Sequence, residues 1–146
     1  MVTMSISRLS RLPRSQFAFY TRTDIIKMTD KRRLLHWEGS SRKDFKEFPI
    51  SVQKDLGVAL FIVQLGRMPA TSKPWKGLGS GVHELIEDHR GDTFRAVYTV
   101  RVGDAVHVLH AFQKKSKSGI ATPQPDVELI EKRLKAVLAR YGLSGR

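Results

Sequence analysis

The feature that most constrains the fold is the stretch from Thr93 to Phe112. Two β-rich runs, Thr93–Val102 and Ala105–Phe112, are separated only by Gly103-Asp104. Val97, Tyr98, Thr99 and Val100 are residue types that suit a pleated, half-buried surface. A Gly-Asp pair between two such runs suits a two-residue hairpin loop. With Val102 and Ala105 flanking that loop, Val97 falls opposite His110 and Arg95 opposite Phe112. Side chains alternate between the faces of a strand. Arg95, Val97, Thr99 and Arg101 then share a face with Val106, Val108, His110 and Phe112. The other face carries Phe94, Ala96, Tyr98, Val100, His107, Leu109 and Ala111. The second set is the more continuously apolar and is expected to meet the helices. The first carries Arg95, Arg101 and His110 and is the expected ligand-facing surface.

The surrounding pattern completes an α+β domain. Val82–Glu87 reads as a third strand, joined through Asp88–Asp92, so that the three strands form an antiparallel meander. Leu34–Trp37 is a short apolar strand. Gly39-Ser40-Ser41 breaks it and offers an N-cap. Residues 41–48 carry Phe45 and Phe48 at helical spacing, and Pro49 suits the first turn of a second helix. There Val52, Leu56, Leu60 and Val63 recur until Gly66 stops the run. The two form a helical hairpin. Met68–Ser80 reads as a loop. Pro125–Tyr141 is a final helix with the stripe Val127, Ile130, Leu134, Leu138 and Tyr141. The expected architecture is an N-terminal helical hairpin packed on an antiparallel sheet, with a C-terminal helix. Residues 34–146 form this domain. Residues 1–33 read as a basic, disordered extension, with Arg8, Arg11, Arg14, Arg22, Lys27, Lys31, Arg32 and Arg33 opposed only by Asp24 and Asp30. A nucleic-acid-binding arm, an organelle transit peptide and a true start at Met28 are the readings set against that one.

Charge narrows the partner. The chain has 26 Lys+Arg against 14 Asp+Glu, a formal net charge of +12. Such an excess disfavours compactness by self-repulsion and is rationalised by a polyanion: nucleic acid first, then an anionic membrane surface or an acidic protein. The chain has no cysteine, which excludes a disulfide scaffold and a thiol nucleophile and fits a cytoplasmic location. No apolar run approaches the roughly 20 residues of a membrane span, and the N-terminus lacks the apolar core of a secretory signal. The histidines, His36, His83, His89, His107 and His110, show no zinc-site spacing, so neither metal nor other cofactor is expected. Gly77, Gly79 and Gly81 alternate, but no Lys-Ser/Thr follows as a phosphate loop requires.

If the polyanion is RNA, its own 2′-OH can be the nucleophile. Cleavage then needs proton removal, stabilisation of the phosphorane charge, and protonation of the leaving oxygen. Arg95, Arg101, Lys114, Lys115 and Lys117 suit the charge, and His110 suits the proton. A solvated charge run is the plain alternative for Lys114–Lys117. Glu84 is either a general base or an ion-pair partner for a nearby cation. His107 is read as a satisfied core histidine. Trp75, next to Lys73 and Lys76 in its loop, is the candidate for stacking on a base.

These residues also carry a resemblance. Lys76-Gly77-Leu78-Gly79-Ser80-Gly81-Val82-His83-Glu84-Leu85 resembles the K-x-L-G-x-G-v-x-E-L segment of phage-derived, HigB-like members of the RelE/HigB toxin superfamily. Phe94-Arg95-Ala96-Val97-Tyr98 is similar to their Y-R-v-l-Y strand. Leu109-His110-Ala111-Phe112-Gln113-Lys114-Lys115-Ser116 resembles their L-H-x-F-x-K-K-[ST] signature. The resemblance implies a RelE-like fold over residues 34–141. It implies the toxin of a type II toxin–antitoxin pair: a metal-independent endoribonuclease that cuts mRNA on the ribosome and is silenced by a helix-turn-helix antitoxin. It matches Arg95 to the strand arginine at the scissile phosphate, Lys114 and Lys115 to the basic strand end, and Lys76 to a basic residue before the central strand. His110 belongs to the phage-type signature. Ile86-Glu87-Asp88 stands where many members have an arginine, and no C-terminal tyrosine match follows Lys117. Related ParE-like proteins poison gyrase without cutting RNA, which leaves a non-enzymatic poison or nucleic-acid-binding module as the alternative.

Overall fold

A computed structural model describes residues 21–23, 32–114 and 121–143. The elements are β1 (Leu34–Trp37), α1 (Ser41–Lys46), α2 (Ile50–Gln64), β2 (Ser72–Pro74), β3 (Val82–His89), β4 (Asp92–Thr99), β5 (Ala105–Lys114) and α3 (Gln124–Arg140). The strands form one five-stranded sheet in the order β1-β5-β4-β3-β2. β2 to β5 are antiparallel as the meander requires, while β1 pairs parallel with β5, Leu34 opposite Ala105. The sheet is therefore mixed at one edge. The chain enters that edge fixed by Gln64: the Arg33 amide donates to the Gln64 carbonyl at 2.8 Å, and Gln64 Nε2 donates to the Arg33 carbonyl at 2.8 Å.

Two apolar layers sandwich the sheet. On one side Phe45, Phe48, Val52, Leu56, Leu60 and Val63 of the α1–α2 segment pack on Leu85, Phe94, Ala96 and Tyr98. The expected helical pair thus lies on the expected face of β4. On the other side Ile130, Leu134, Val137 and Leu138 of α3 pack on Val82, Val97, Leu109 and Phe112.

A bulge in β5 corrects the face assignment. Val97 pairs with His110, but the next pair is Tyr98 with Val108, so Leu109 is one residue in excess. An extra residue on one strand turns the following side chains to the opposite face. Val106 and Val108, expected beside Arg95, instead join the α2 side. Leu109, expected with the helical pair, joins the α3 side. The connection is also longer than two residues: β4 ends at Thr99 and β5 begins at Ala105, with Val102 buried in the α3-side core. The longer loop offsets the proximal pairing by one, to Thr99 opposite His107, and the bulge restores Val97–His110 and Arg95–Phe112 as the alternation predicts.

Leu109 is fully buried, so truncation leaves a cavity where two strands and α3 meet. Leu109→Ala is expected to cost about 2–5 kcal/mol in urea unfolding. Leu34→Ala, at a residue 54% exposed, is expected to stay within about 0.5 kcal/mol.

Candidate functional site

The α3-side face of the sheet holds the sequence-predicted residues in three groups. The first is a pair. Arg95 on β4 donates from Nη1 to Glu84 Oε2 on β3 at 2.7 Å, with side-chain exposures of 16% and 12%. The register explains the contact: Glu84 lies opposite Val97 and Ile86 opposite Arg95, so the two charges are diagonal neighbours on one face. The Arg95 Nε is buried and has no partner among the described residues. Phe112 lies opposite Arg95 on β5 and stacks with the His110 ring at 5.0 Å between centroids. Lys114 closes the same face opposite Thr93, and is 9% exposed. On the far side of Glu84, Lys73 of β2 stands opposite it in register and is exposed.

The second group removes His110 from open surface. Its Nε2 lies 2.7 Å from Asp126 Oδ1 at the start of α3, and its Nδ1 lies 3.5 Å from Arg133 Nη1. Arg133 also donates to the Leu109 carbonyl at 2.8 Å and to Ser40 Oγ at 2.9 Å. At 6% exposure, with both ring nitrogens facing partners, His110 is a link between sheet and helix rather than an accessible proton donor. The expectation of an open ligand-facing sheet fails for the same reason: α3 covers Val97, Leu109 and Phe112.

The third group surrounds the glycine loop. Trp75, expected to offer its ring to a base, is 9% exposed and packs in the α3-side core. Its amide donates to the Val82 carbonyl at 2.9 Å, which turns the ring inward. Arg101 donates from Nη1 to the Leu78 carbonyl at 3.1 Å. Its stem lies over Gly81, which has φ +83°, and a Cβ there would collide with that stem. Arg101 therefore clamps the loop. Lys76, between these two, is exposed. Lys115 and Lys117 lie outside the described residues.

At the β1 edge of the α3 side, Glu38, the residue after β1, joins that strand to α3. It accepts from Arg140 Nη2 at 2.5 Å and faces His107 Nδ1 at 3.0 Å. Tyr141 Oη lies 3.4 Å from His107 Nε2, and the His36 ring stacks on His107 at 5.2 Å. His107 is thus the satisfied core histidine the sequence suggests, though on the α3 side. Burial lowers its pKa from the usual 6.5; Glu38 opposes this through a hydrogen bond and its charge, and His36 and Arg140 add to the lowering. Burial raises Glu38, but hydrogen bonds and charge from Arg140 and His107 outweigh it and leave Glu38 below 4.5. Of the two sequence readings of Glu84, general base or partner of a nearby cation, the structure shows the ion pair and supplies Arg95 as the cation. Asp126, Arg133, Glu38 and Arg140 carry no signal in the sequence, because each partner is far along the chain. Among the described residues, no group of His, Asp or Glu could hold a metal, and no helix is long and apolar enough to cross a membrane.

Comparison with known families matches residues 43–135, well over half the chain, to the family described as "Phage derived protein Gp49-like (DUF891)". The chain belongs to the Gp49-like phage-derived protein family. The match runs from α1 into α3 and so contains Glu84, Arg95, His110 and Lys114. Among curated proteins none matches significantly. A similar solved structure is the RelBE2 toxin–antitoxin complex from Mycobacterium tuberculosis, at 19% identity and a TM-score of 0.38, covering 58% of this chain and 94% of that one.

The His107 shift fixes a pH dependence. A histidine whose folded pKa is depressed binds its proton first in the unfolded state, so stability falls as pH drops below about 6.5 towards the folded value. His83, also lowered by burial, adds in the same direction. The urea midpoint is expected to fall between pH 7 and pH 5.5, and His107→Gln to flatten part of that slope.

Proposed function

We propose that this Gp49-like chain is the toxin of a type II toxin–antitoxin pair and acts in the cytoplasm as a metal-independent endoribonuclease, cutting mRNA on the ribosome. Its silencing partner is a co-transcribed antitoxin with a helix-turn-helix domain. The observation that carries this reading is the location of Arg95. It stands on β4, between the two strands that bear the other resembling segments, and its guanidinium is half-buried beside a single carboxylate. A guanidinium in such surroundings suits bidentate capture of a phosphodiester and of the extra charge that develops as the 2′-oxygen attacks.

Arg95 is the phosphate-binding residue in this reading. Lys76, exposed in the loop before β3, and Lys114 at the end of β5, with Lys115 next to it in sequence, supply the surrounding positive potential. Lys115 is also the remaining candidate for proton transfer. His110, engaged by Asp126 and Arg133, is assigned to holding α3 on the sheet.

Primer extension on total RNA after brief expression tests the reading. Discrete new 5′ ends are expected. Arg95→Gln keeps a hydrogen-bond donor near Glu84 and is expected to lower cleavage about 10²- to 10³-fold while the chain still unfolds cooperatively. Growth arrest with intact RNA in both forms would reject the nuclease and favour a gyrase poison of the ParE-like kind.

A further inference from the structure

Glu84 is an acid set among cations. Lys73 stands opposite it across the β2–β3 pair, and Arg95 is bound to it from β4. Of the other acids on β3, Glu87 falls on the opposite face, in register with Phe94, and Asp88 accepts instead from Thr93 Oγ1 at 2.8 Å. The contact with Glu84 is short and both partners are largely sheltered from water, so the pair is screened less than a surface ion pair. It leaves the guanidinium incompletely satisfied, with the Nε buried and unpartnered among the described residues. A carboxylate and a phosphodiester both offer two oxygens to a guanidinium. The place that Glu84 fills on Arg95 is therefore one that a phosphate would claim.

We infer that Glu84 is a positioning residue that sets the strength of phosphate capture at Arg95: it aims the guanidinium across the sheet and competes with the incoming phosphodiester for it. This rests on the reading of Arg95 as the phosphate-binding residue. While the carboxylate is charged, the pair contributes no net positive charge, and RNA must displace an internal anion before Arg95 counts as a phosphate contact. Removing the charge but keeping the oxygen frees the cation without losing its aim. Glu84→Gln does this, because the amide oxygen still accepts from Arg95.

The test measures binding of the full chain to a 2′-O-methylated oligoribonucleotide, whose blocked 2′-oxygen prevents cleavage, by fluorescence anisotropy over a range of salt. Glu84→Gln is expected to bind about threefold tighter or more. The slope of log affinity against log salt should steepen by about 0.7, the value for one added single-strand phosphate contact. In an Arg95→Gln background the same substitution should give neither change, and Glu84→Asp, which keeps the charge, should stay near wild type. If Arg95→Gln weakens binding but Glu84→Gln leaves affinity and slope unchanged or lowers them, Glu84 only supports the fold and the inference fails while the role of Arg95 stands. If Arg95→Gln binds as wild type does, the role of Arg95 fails and the inference falls with it. Thermal unfolding of each variant separates a lost fold from a lost contact.

Discussion

The structure depends on one extra residue. Leu109 interrupts the alternation of β5, and the strand thereby feeds two cores at once. Val106, Val108 and Ala111 pack towards α2, while Leu109 and Phe112 pack towards α3. A regular strand would present Leu109 to the helical pair and turn Val106 and Val108 towards α3. The bulge also brings the Leu109 carbonyl and the His110 ring together on the side where Arg133 reaches both. With α3 held there, Glu84, Arg95 and Lys114 are among the charged residues of β3 to β5 that remain on that face.

Much of this was legible in the sequence, for identifiable reasons. The helix of Val52, Leu56, Leu60 and Val63 and the stripe of Ile130, Leu134 and Leu138 have clear periods, and each became a buried face. The pairings of Arg95 with Phe112 and Val97 with His110 follow from alternation, yet they hold only because the bulge compensates the longer loop. Neither departure has a sequence signature, since Leu109 is as suited to a regular strand as to a bulge. In sequence Met68–Ser80 reads as loop because Ser72-Lys73-Pro74 has little β-propensity; a proline is tolerated in β2 because the strand is an edge. The inward turn of Trp75 follows from that pairing and was hidden with it.

The net charge is a weak guide to where cations act. Arg95 is offset by Glu84, Arg101 is spent on a backbone carbonyl, Arg133 bonds a carbonyl and a serine, and Arg140 bonds Glu38. These arginines read alike in sequence. They differ in whether their partner is neutral or charged, and in whether an anion could replace it. A backbone carbonyl inside a clamped loop cannot be exchanged for a phosphate without unfolding the loop. A side-chain carboxylate, which holds no loop in place, is the kind of partner that a phosphate can exchange with.

The central claim is that Arg95, rather than the other partly buried arginines, is the one that meets the RNA backbone. The most direct measurement is the side-chain Nε–Hε spectrum of the arginines during titration with a 2′-O-methylated oligoribonucleotide. The Arg95 resonance is predicted to move and saturate with binding, while those of Arg101 and Arg133 stay in place. RNA binding that leaves the Arg95 resonance unmoved would contradict the account.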